Sequence, residues 1–282
     1  MSSSPLSSAH VARSAVAIRL LGMMKDAGLT GHDIAQRCGW HKSKSSRIAQ
    51  GKTMPSDADI RAWCTACGAE DQIADLVAAS RNAEAMYVQW KQLHRSGMRN
   101  VHERTLPLYQ RTRRFRVYAS NVLPGMFQTR AYATGLLHAI RDFQETPDDV
   151  RQAVEARLAR SRVVGEGGRS FALLVEEAVL YYRVADDAAM SEQLHCLMHA
   201  ASQPNVSLGV VPLTARRTVW PLEAFYAFDD VQVAVETLTA EINVSSPGEV
   251  RTYLRAFARL SQAAVYGAQA QALVRRALAS LD

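Results

Sequence analysis

Apolar residues recur at three- and four-residue spacing from Val11 to about Gly97, which predicts an all-helical N-terminal part. Glycines that follow the periodic runs divide it into five helices. The fifth is long and includes Met86, Trp90 and Leu93. The predicted helices cover 11–27, 31–38, 41–50, 57–67 and 70–96.

Two short helices separated by one turn stand out in this part. Thr30, with Asp33 three residues later, predicts the capped start of the helix at 31–38. Gly39 suits the tight turn because glycine adopts a left-handed backbone at little cost. Ala35 is small where the two helices must cross closely. This arrangement predicts a helix-turn-helix, whose second helix enters the major groove of DNA.

After about residue 112 the pattern changes to short apolar runs mixed with helices. Phe225–Phe228 and Val231–Leu238 flank Asp229-Asp230, which predicts a hairpin. We expect a multidomain chain, with an all-α helix-turn-helix domain followed by an α+β domain with a sheet of roughly five strands. The predicted strands are 115–121, 171–177, 206–213, 225–228 and 231–238, and the predicted helices are 128–140, 147–163, 190–202 and 247–279.

The predicted domain organisation follows from these patterns. It consists of a disordered serine-rich leader at 1–10, a helix-turn-helix domain with the long fifth helix at 11–99, a connector at 100–112, and the α+β domain at 113–282. The leader lacks the apolar run of a secretory signal. No segment is apolar enough to span a bilayer, and four cysteines are typical of a reduced cytosol, so we expect a cytoplasmic protein.

The charge of the chain is concentrated near its N-terminus. The net charge is +6; residues 1–100 hold 13 Lys and Arg against 8 Asp and Glu, or +5, which leaves +1 for the rest. No acidic residue occurs between Ile34 and Ser56. A basic patch on a small helical segment indicates a polyanionic partner.

The predicted second helix assigns roles to individual side chains. Lys42, Ser43, Ser46 and Arg47 face outward at helical spacing and are the predicted base contacts, with Arg47 the best candidate for bidentate reading of guanine. Ile48 should pack inward. The predicted phosphate contacts are Thr30, Arg37, Lys44 and Lys52.

Residues 13–67 resemble an Xre-type, phage-repressor-like helix-turn-helix domain. Further segments resemble the WhiJ-like regulators of actinobacteria, over about residues 13–278. That resemblance implies transcriptional control, an Xre domain joined to a C-terminal domain of poorly defined role, and a short companion protein in an antitoxin-like pair. The segments are 39–44 (GWHKSK), 51–56 (GKTMPS), 62–68 (AWCTACG), 87–90 (YVQW) and 123–129 (LPGMFQT).

Three positions depart from the usual Xre pattern. Gly31 replaces a phosphate-binding glutamine, Ser45 an apolar residue and Ala49 a common glutamate. A buried serine needs a hydrogen-bond partner or costs on the order of 1–3 kcal/mol.

Other constellations are better explained as structure than as chemistry. Cys64-x-x-Cys67 lacks a second pair to complete a zinc site. Glu176-Glu177 could be acid/base groups, could bind an arginine-bearing partner, or could form strand-end salt bridges, the last being favoured. The chain has no lysine after Lys91, which excludes a Walker A site or a Schiff-base lysine in the C-terminal domain. We therefore expect no catalytic residues, metal or cofactor, and no enzyme activity.

Two questions stay open for the C-terminal domain. The aromatic segment with Trp220, Phe225, Tyr226 and Phe228 could line a small-molecule pocket, which makes a one-component sensor the alternative function; ordinary core is the favoured interpretation. A single Xre domain contacts few base pairs, so we expect a homodimer on double-stranded operator DNA. The candidate dimer stripe is Val250, Tyr253, Leu254, Phe257, Leu260, Val265 and Leu273.

Overall fold

The computed structural model describes residues 8–82, 87–89 and 97–281. The chain divides into two compact units, 1–88 with 243–250, and 89–242 with 251–282. An all-helical N-terminal region with a helix-turn-helix precedes an α+β region, so the predicted multidomain fold class is confirmed. Among the described residues, no helix is long and apolar enough to cross a membrane.

Five helices form the N-terminal region. Its core surrounds Trp63, whose indole Nε1 donates to the carbonyl oxygen of Leu20 at 3.1 Å. Ile34 and Ile48 are fully buried in the same core. The helices are α1 (Ser8–Asp26), α2 (Gly31–Arg37), α3 (Lys42–Ala49), α4 (Asp57–Cys67) and α5 (Ile73–Asn82).

Two predictions for the N-terminal region are wrong. The disordered leader predicted for 1–10 is wrong at 8–10, because α1 begins at Ser8; alanines at 9 and 12 favour helix there. Residues 1–7 lie outside the described part. The long fifth helix predicted for 70–96 is wrong at 87–89, where β1 (Tyr87–Gln89) is a strand beside β7 (Ala240–Val244). Helix α5 is described over Ile73–Asn82, and residues 83–86 and 90–96 lie outside the described part. Tyrosine and valine favour a strand once a partner strand is available.

The C-terminal region begins with α6 (Arg99–Arg111), which occupies most of the predicted connector. Val101 and Tyr109 on this helix are buried, so it belongs to the fold rather than to a linker. The remaining elements are β2 (Arg114–Ala119), α7 (Arg130–Gln144), α8 (Val150–Ser161), β3 (Ser170–Glu176), α9 (Asp187–Ala200), β4 (Val206–Val211), β5 (Phe225–Phe228), β6 (Gln232–Glu236), β7, α10 (Pro247–Ala263), β8 (Val265–Tyr266) and α11 (Gly267–Ala279).

The sheet is mixed, with strand order β1-β7-β6-β5-β2-β3-β4-β8. The central strands β2, β3 and β4 are parallel, whereas β5 and β6 form the predicted antiparallel hairpin, with Asp229 in its turn at φ 51°. Phe115 and Phe171 stack across β2 and β3 at 4.8 Å between ring centroids. The sheet has eight strands rather than about five, because short edge strands such as β8 carry too few residues for a period to be seen.

The predicted C-terminal helix at 247–279 is two helices. Gly267 takes a left-handed φ of 55°, and β8 lies immediately before it, so the chain leaves helical geometry between α10 and α11. Three members of the candidate dimer stripe, Val250, Phe257 and Leu260, are buried within the chain's own core. The other four are only partly exposed, so this stripe is not a free apolar surface.

Candidate nucleic-acid interface

The turn between α2 and α3 is fixed by local sequence. Thr30 caps α2, and its backbone N–H donates to Asp33 Oδ2 at 2.8 Å while its hydroxyl accepts from the Asp33 N–H at 3.3 Å. This is the predicted capping box. Gly39 has φ 67°, and the N–H of Trp40 donates to the carbonyl of Ala35 at 2.7 Å. The helix-turn-helix geometry therefore follows from residues within a dozen positions of one another.

Helix α3 is held against the core by its inner face. His41 caps it, and its Nδ1 accepts from the Ser43 N–H at 3.3 Å. Ile48 is 1% exposed, as expected for the inward position. Ser45 is buried as well, and its hydroxyl has two acceptors in reach, the carbonyls of Gly31 at 2.9 Å and Lys42 at 3.1 Å. The unusual serine is therefore satisfied.

The outer face of α3 carries the four predicted base contacts. Lys42, Ser43, Ser46 and Arg47 are all exposed. Arg47 folds back in this state, and its Nε donates to the Ser43 carbonyl at 3.1 Å. Its two terminal nitrogens have no acceptor among the described residues, so they are available to a partner. The structure thus places a continuous polar and basic surface on one helix face.

The four predicted phosphate contacts have different surroundings. Lys52 is exposed and has no ion pair within the described part of the chain. Arg37 donates from Nη1 to the carbonyl of Ala66 at 2.8 Å, which links α2 to the end of α4. Thr30 uses its hydroxyl in the cap, where it also donates to Asp33 at 2.6 Å. Of the four predicted phosphate contacts, Lys52 therefore has the fewest contacts with the rest of the described chain.

Lys44, the fourth predicted phosphate contact, makes both an ion pair and a cation–π contact within the chain. Its Nζ lies 2.6 Å from Asp59 Oδ1 and 4.5 Å from the centroid of the Trp40 ring. Burial raises the pKa of Asp59, but hydrogen bonds from Lys44 and Ser56 outweigh it, so the pKa of this carboxyl lies below its ordinary value. A phosphate at Lys44 would therefore share the ammonium with Asp59, a partner that the sequence pattern did not indicate.

The cysteines of this region belong to the core. Cys64 is fully buried, and burial raises the pKa of its thiol to about 11. Burial likewise raises the pKa of Cys67 and of Cys196 in the C-terminal region. Thiols with raised pKa values are poor nucleophiles at neutral pH. Among the described residues, no group of three or more His, Cys, Asp or Glu could hold a metal ion.

The paired acids at the end of β3, Glu176 and Glu177, form the predicted strand-end salt bridges. Glu176 is buried and accepts from Arg217 Nη1 at 2.8 Å and from the Tyr118 hydroxyl at 2.7 Å. Glu177 accepts from Arg276 Nη2 at 2.7 Å. Both carboxylates are thus neutralised within the chain.

The aromatic segment 220–228 does not form one cluster. Phe225 packs against Tyr118 and Tyr253, and Phe228 against Tyr109, so both belong to the core. Trp220 is 73% exposed and lies apart from them. Because Phe225 and Phe228 are buried in the core while Trp220 is exposed, these three side chains do not line one pocket together. Tyr226 borders another polar site.

That other site is centred on Arg157 and Arg160 of α8, and sequence analysis missed it. Both guanidinium groups lie beside the backbone of Gly125; a Cβ on that glycine would be 3.5 Å from Arg160 Nη2 and 3.9 Å from Arg157 Cζ. The spacing R-x-x-R was the available signal. The same spacing is also typical of an ordinary solvated helix face, so it does not by itself predict a binding site.

Together, the capped α2–turn–α3 unit and the basic face of α3 define a helix-turn-helix protein with a second, α+β domain. Residues 15–77 match a family model described as a helix-turn-helix domain. Residues 103–276, more than half of the chain, match the model described as "Domain of unknown function (DUF5753)", so the chain belongs to the DUF5753 family. No curated protein matches the chain significantly.

Proposed function

We propose that this protein is a sequence-specific DNA-binding transcriptional regulator. The observation that carries the proposal is the outer face of α3, where Lys42, Ser43, Ser46 and Arg47 are all exposed. The sequence from 34 to 56 contains no acidic residue that would oppose a polyanion there. A helix of this composition suits the major groove, in which arginine reads guanine and serine accepts or donates to either base of a pair.

Within this proposal, the surroundings of α3 anchor the DNA backbone. Lys52 lies three residues after the end of α3 and is free to bind a phosphate. Thr30 is the N-cap of α2, and Arg37 is the last residue of that helix. Lys44 contributes positive charge while it remains paired with Asp59. Such contacts position the recognition helix and give affinity without sequence preference.

We further propose that the protein acts as a homodimer in the cytoplasm. One recognition helix reads too few base pairs to select an operator from a genome, so two are needed on half-sites about one helical turn apart. The C-terminal domain would supply the dimer contact, and it would also bind the small companion protein that the WhiJ-like resemblance implies. The buried residues of the 250–273 stripe, Val250, Phe257 and Leu260, are not available for a dimer contact. Sedimentation equilibrium of the full chain tests whether it dimerises.

We also propose that the protein is not an enzyme. The thiols have raised pKa values, and the adjacent carboxylates of Glu176 and Glu177 are held by arginines. These groups are thus engaged in structure rather than poised for proton transfer or nucleophilic attack.

Selection of DNA from a randomised duplex pool with the full chain tests the proposed function. We expect enrichment of one motif, repeated in inverted orientation with half-site centres about 10 base pairs, or a multiple of one turn, apart. Failure to enrich any motif, at a salt concentration where the protein still binds DNA, would contradict sequence-specific recognition.

A further inference from the structure

Arg157 and Arg160 form a pair of like charges inside the C-terminal domain. They lie one turn apart on α8, and their guanidinium groups meet beside Gly125. Arg160 is only 8% exposed, whereas Arg157 keeps part of its surface accessible. Burial, and then the charge of Arg160, lower the pKa of Arg157. Bringing two guanidinium groups together in this way is unfavourable unless another group compensates.

The protein itself supplies only part of that compensation. Arg160 Nη1 donates to the Thr105 hydroxyl at 2.7 Å, and Arg157 Nη1 donates to Gln128 Oε1 at 2.6 Å. Both partners are neutral. The Nε atoms of both arginines are buried and have no hydrogen-bond partner. A buried donor without an acceptor costs about 1–3 kcal/mol, and more when it is charged.

No carboxylate among the described residues lies within 4.0 Å of either arginine. The acids whose charges act on Arg157 or Tyr109 are Glu236 and Glu241. Glu241 lies 3.9 Å from Arg104, and Glu236, the last residue of β6, has an exposed side chain. These acids therefore reduce the local positive potential, but they accept no hydrogen bond from Arg157 or Arg160.

Two tyrosines complete the surroundings. The Tyr109 ring lies 4.4 Å from Arg160 Cζ, which fixes that guanidinium in a cation–π contact. The hydroxyl of Tyr226 accepts from the N–H of Gly125 at 3.1 Å, so it lies beside the same glycine as the two guanidinium groups. The site thus combines two tyrosines with two guanidinium groups that no carboxylate of the described residues pairs.

We propose that Arg157 and Arg160 bind an oxyanion, the carboxylate or phosphate group of a small molecule. Guanidinium groups bind such anions in bidentate geometry, and a bound negative charge would offset the repulsion between the two like charges. The site lies in the C-terminal domain, so the proposal does not depend on DNA binding.

Thermal unfolding of the full chain tests the proposal without DNA. Inorganic phosphate and acetate are compared with chloride at equal ionic strength. We expect phosphate or acetate to raise the Tm saturably, by about 3–6 °C at ten times its dissociation constant. The anion that acts identifies the ligand class: phosphate, carboxylate or both.

Variants of α8 locate the effect. Arg157→Gln should abolish the anion-specific rise in Tm. If that variant does not fold, Arg157→Lys takes its place: it keeps the charge but not the two parallel donors, and it should reduce the rise in Tm. Arg151→Gln removes an exposed arginine from the same helix and should leave the shift unchanged. No anion-specific shift in the unmodified chain, or an equal shift in the Arg157 variants, would overturn the site.

Discussion

The Ser45 hydroxyl lies 2.9 Å from the carbonyl oxygen of Gly31, so the recognition helix is fastened to the first residue of the helix before it. Both positions depart from the usual Xre pattern: Ser45 stands in place of an apolar residue, and Gly31 stands in place of a glutamine. The structure shows that the two departures contact each other. A hydrogen bond replaces apolar packing at the crossing of α2 and α3.

Ser45→Ala tests the contribution of this hydrogen bond. We expect a loss of about 0.5–1.5 kcal/mol in local stability, because the Gly31 carbonyl loses the hydroxyl that donates to it and a small gap remains. Amide hydrogen exchange in α2 and α3 of the full chain would report this as exchange up to about tenfold faster. Ser46→Ala, at the exposed neighbouring position, is the control and should change exchange little. Equal protection in both variants would show that the Ser45 hydroxyl contributes nothing.

Asp59 should make the stability of the N-terminal region depend on pH. Its pKa is lowered in the folded state, so its contribution is complete above its ordinary value of 3.8 and is lost as the pH falls through the lowered value. At pH 7 we expect Asp59→Asn to cost about 1 kcal/mol, since the capping box with Ser56 and the pair with Lys44 are both weakened. Thermal unfolding of both proteins from pH 7 to pH 2.5 measures this. A difference that stays constant over this range would contradict the assignment.

Lys52 and Lys44 should differ in a way that sequence alone does not predict. Lys52→Ala should weaken binding to all DNA sequences alike and reduce the slope of log K against log salt by about 1, with no change in fold stability. Lys44→Ala should weaken all sequences too, but it should also destabilise the fold because Asp59 loses its partner. Salt titrations of binding together with unfolding curves separate the two effects. A change in base preference in either variant would remove that lysine from the phosphate set.

Local signals explain why much of the N-terminal region could be predicted. Thr30 with Asp33 and the left-handed glycines at 39 and 68 act within one turn of the chain, so sequence is sufficient to place them. The strand Tyr87–Gln89 depends on a partner about 150 residues away, so the local helical period could not predict it.

The site residues show the same division. The exposure of Lys42, Ser43, Ser46 and Arg47 follows from the helical period once Ile48 faces the core. The pairing of Lys44 with Asp59, 15 residues away, depends on how α3 packs beside α4. The burial of Arg157 and Arg160 depends on α6 and on the turn at Gly125, and no periodicity in α8 could reveal it.

The most direct test of the central claim is the base preference of Arg47→Ala on the selected operator. Specific binding should weaken by about 1–3 kcal/mol, and preference should relax at one base position per half-site while the others remain. Arg61→Ala removes an exposed arginine from α4 in the same region and should retain the full preference. Unchanged specific affinity and an unchanged motif in Arg47→Ala, measured by gel shift at fixed salt, would contradict the proposal that this arginine of α3 reads the operator.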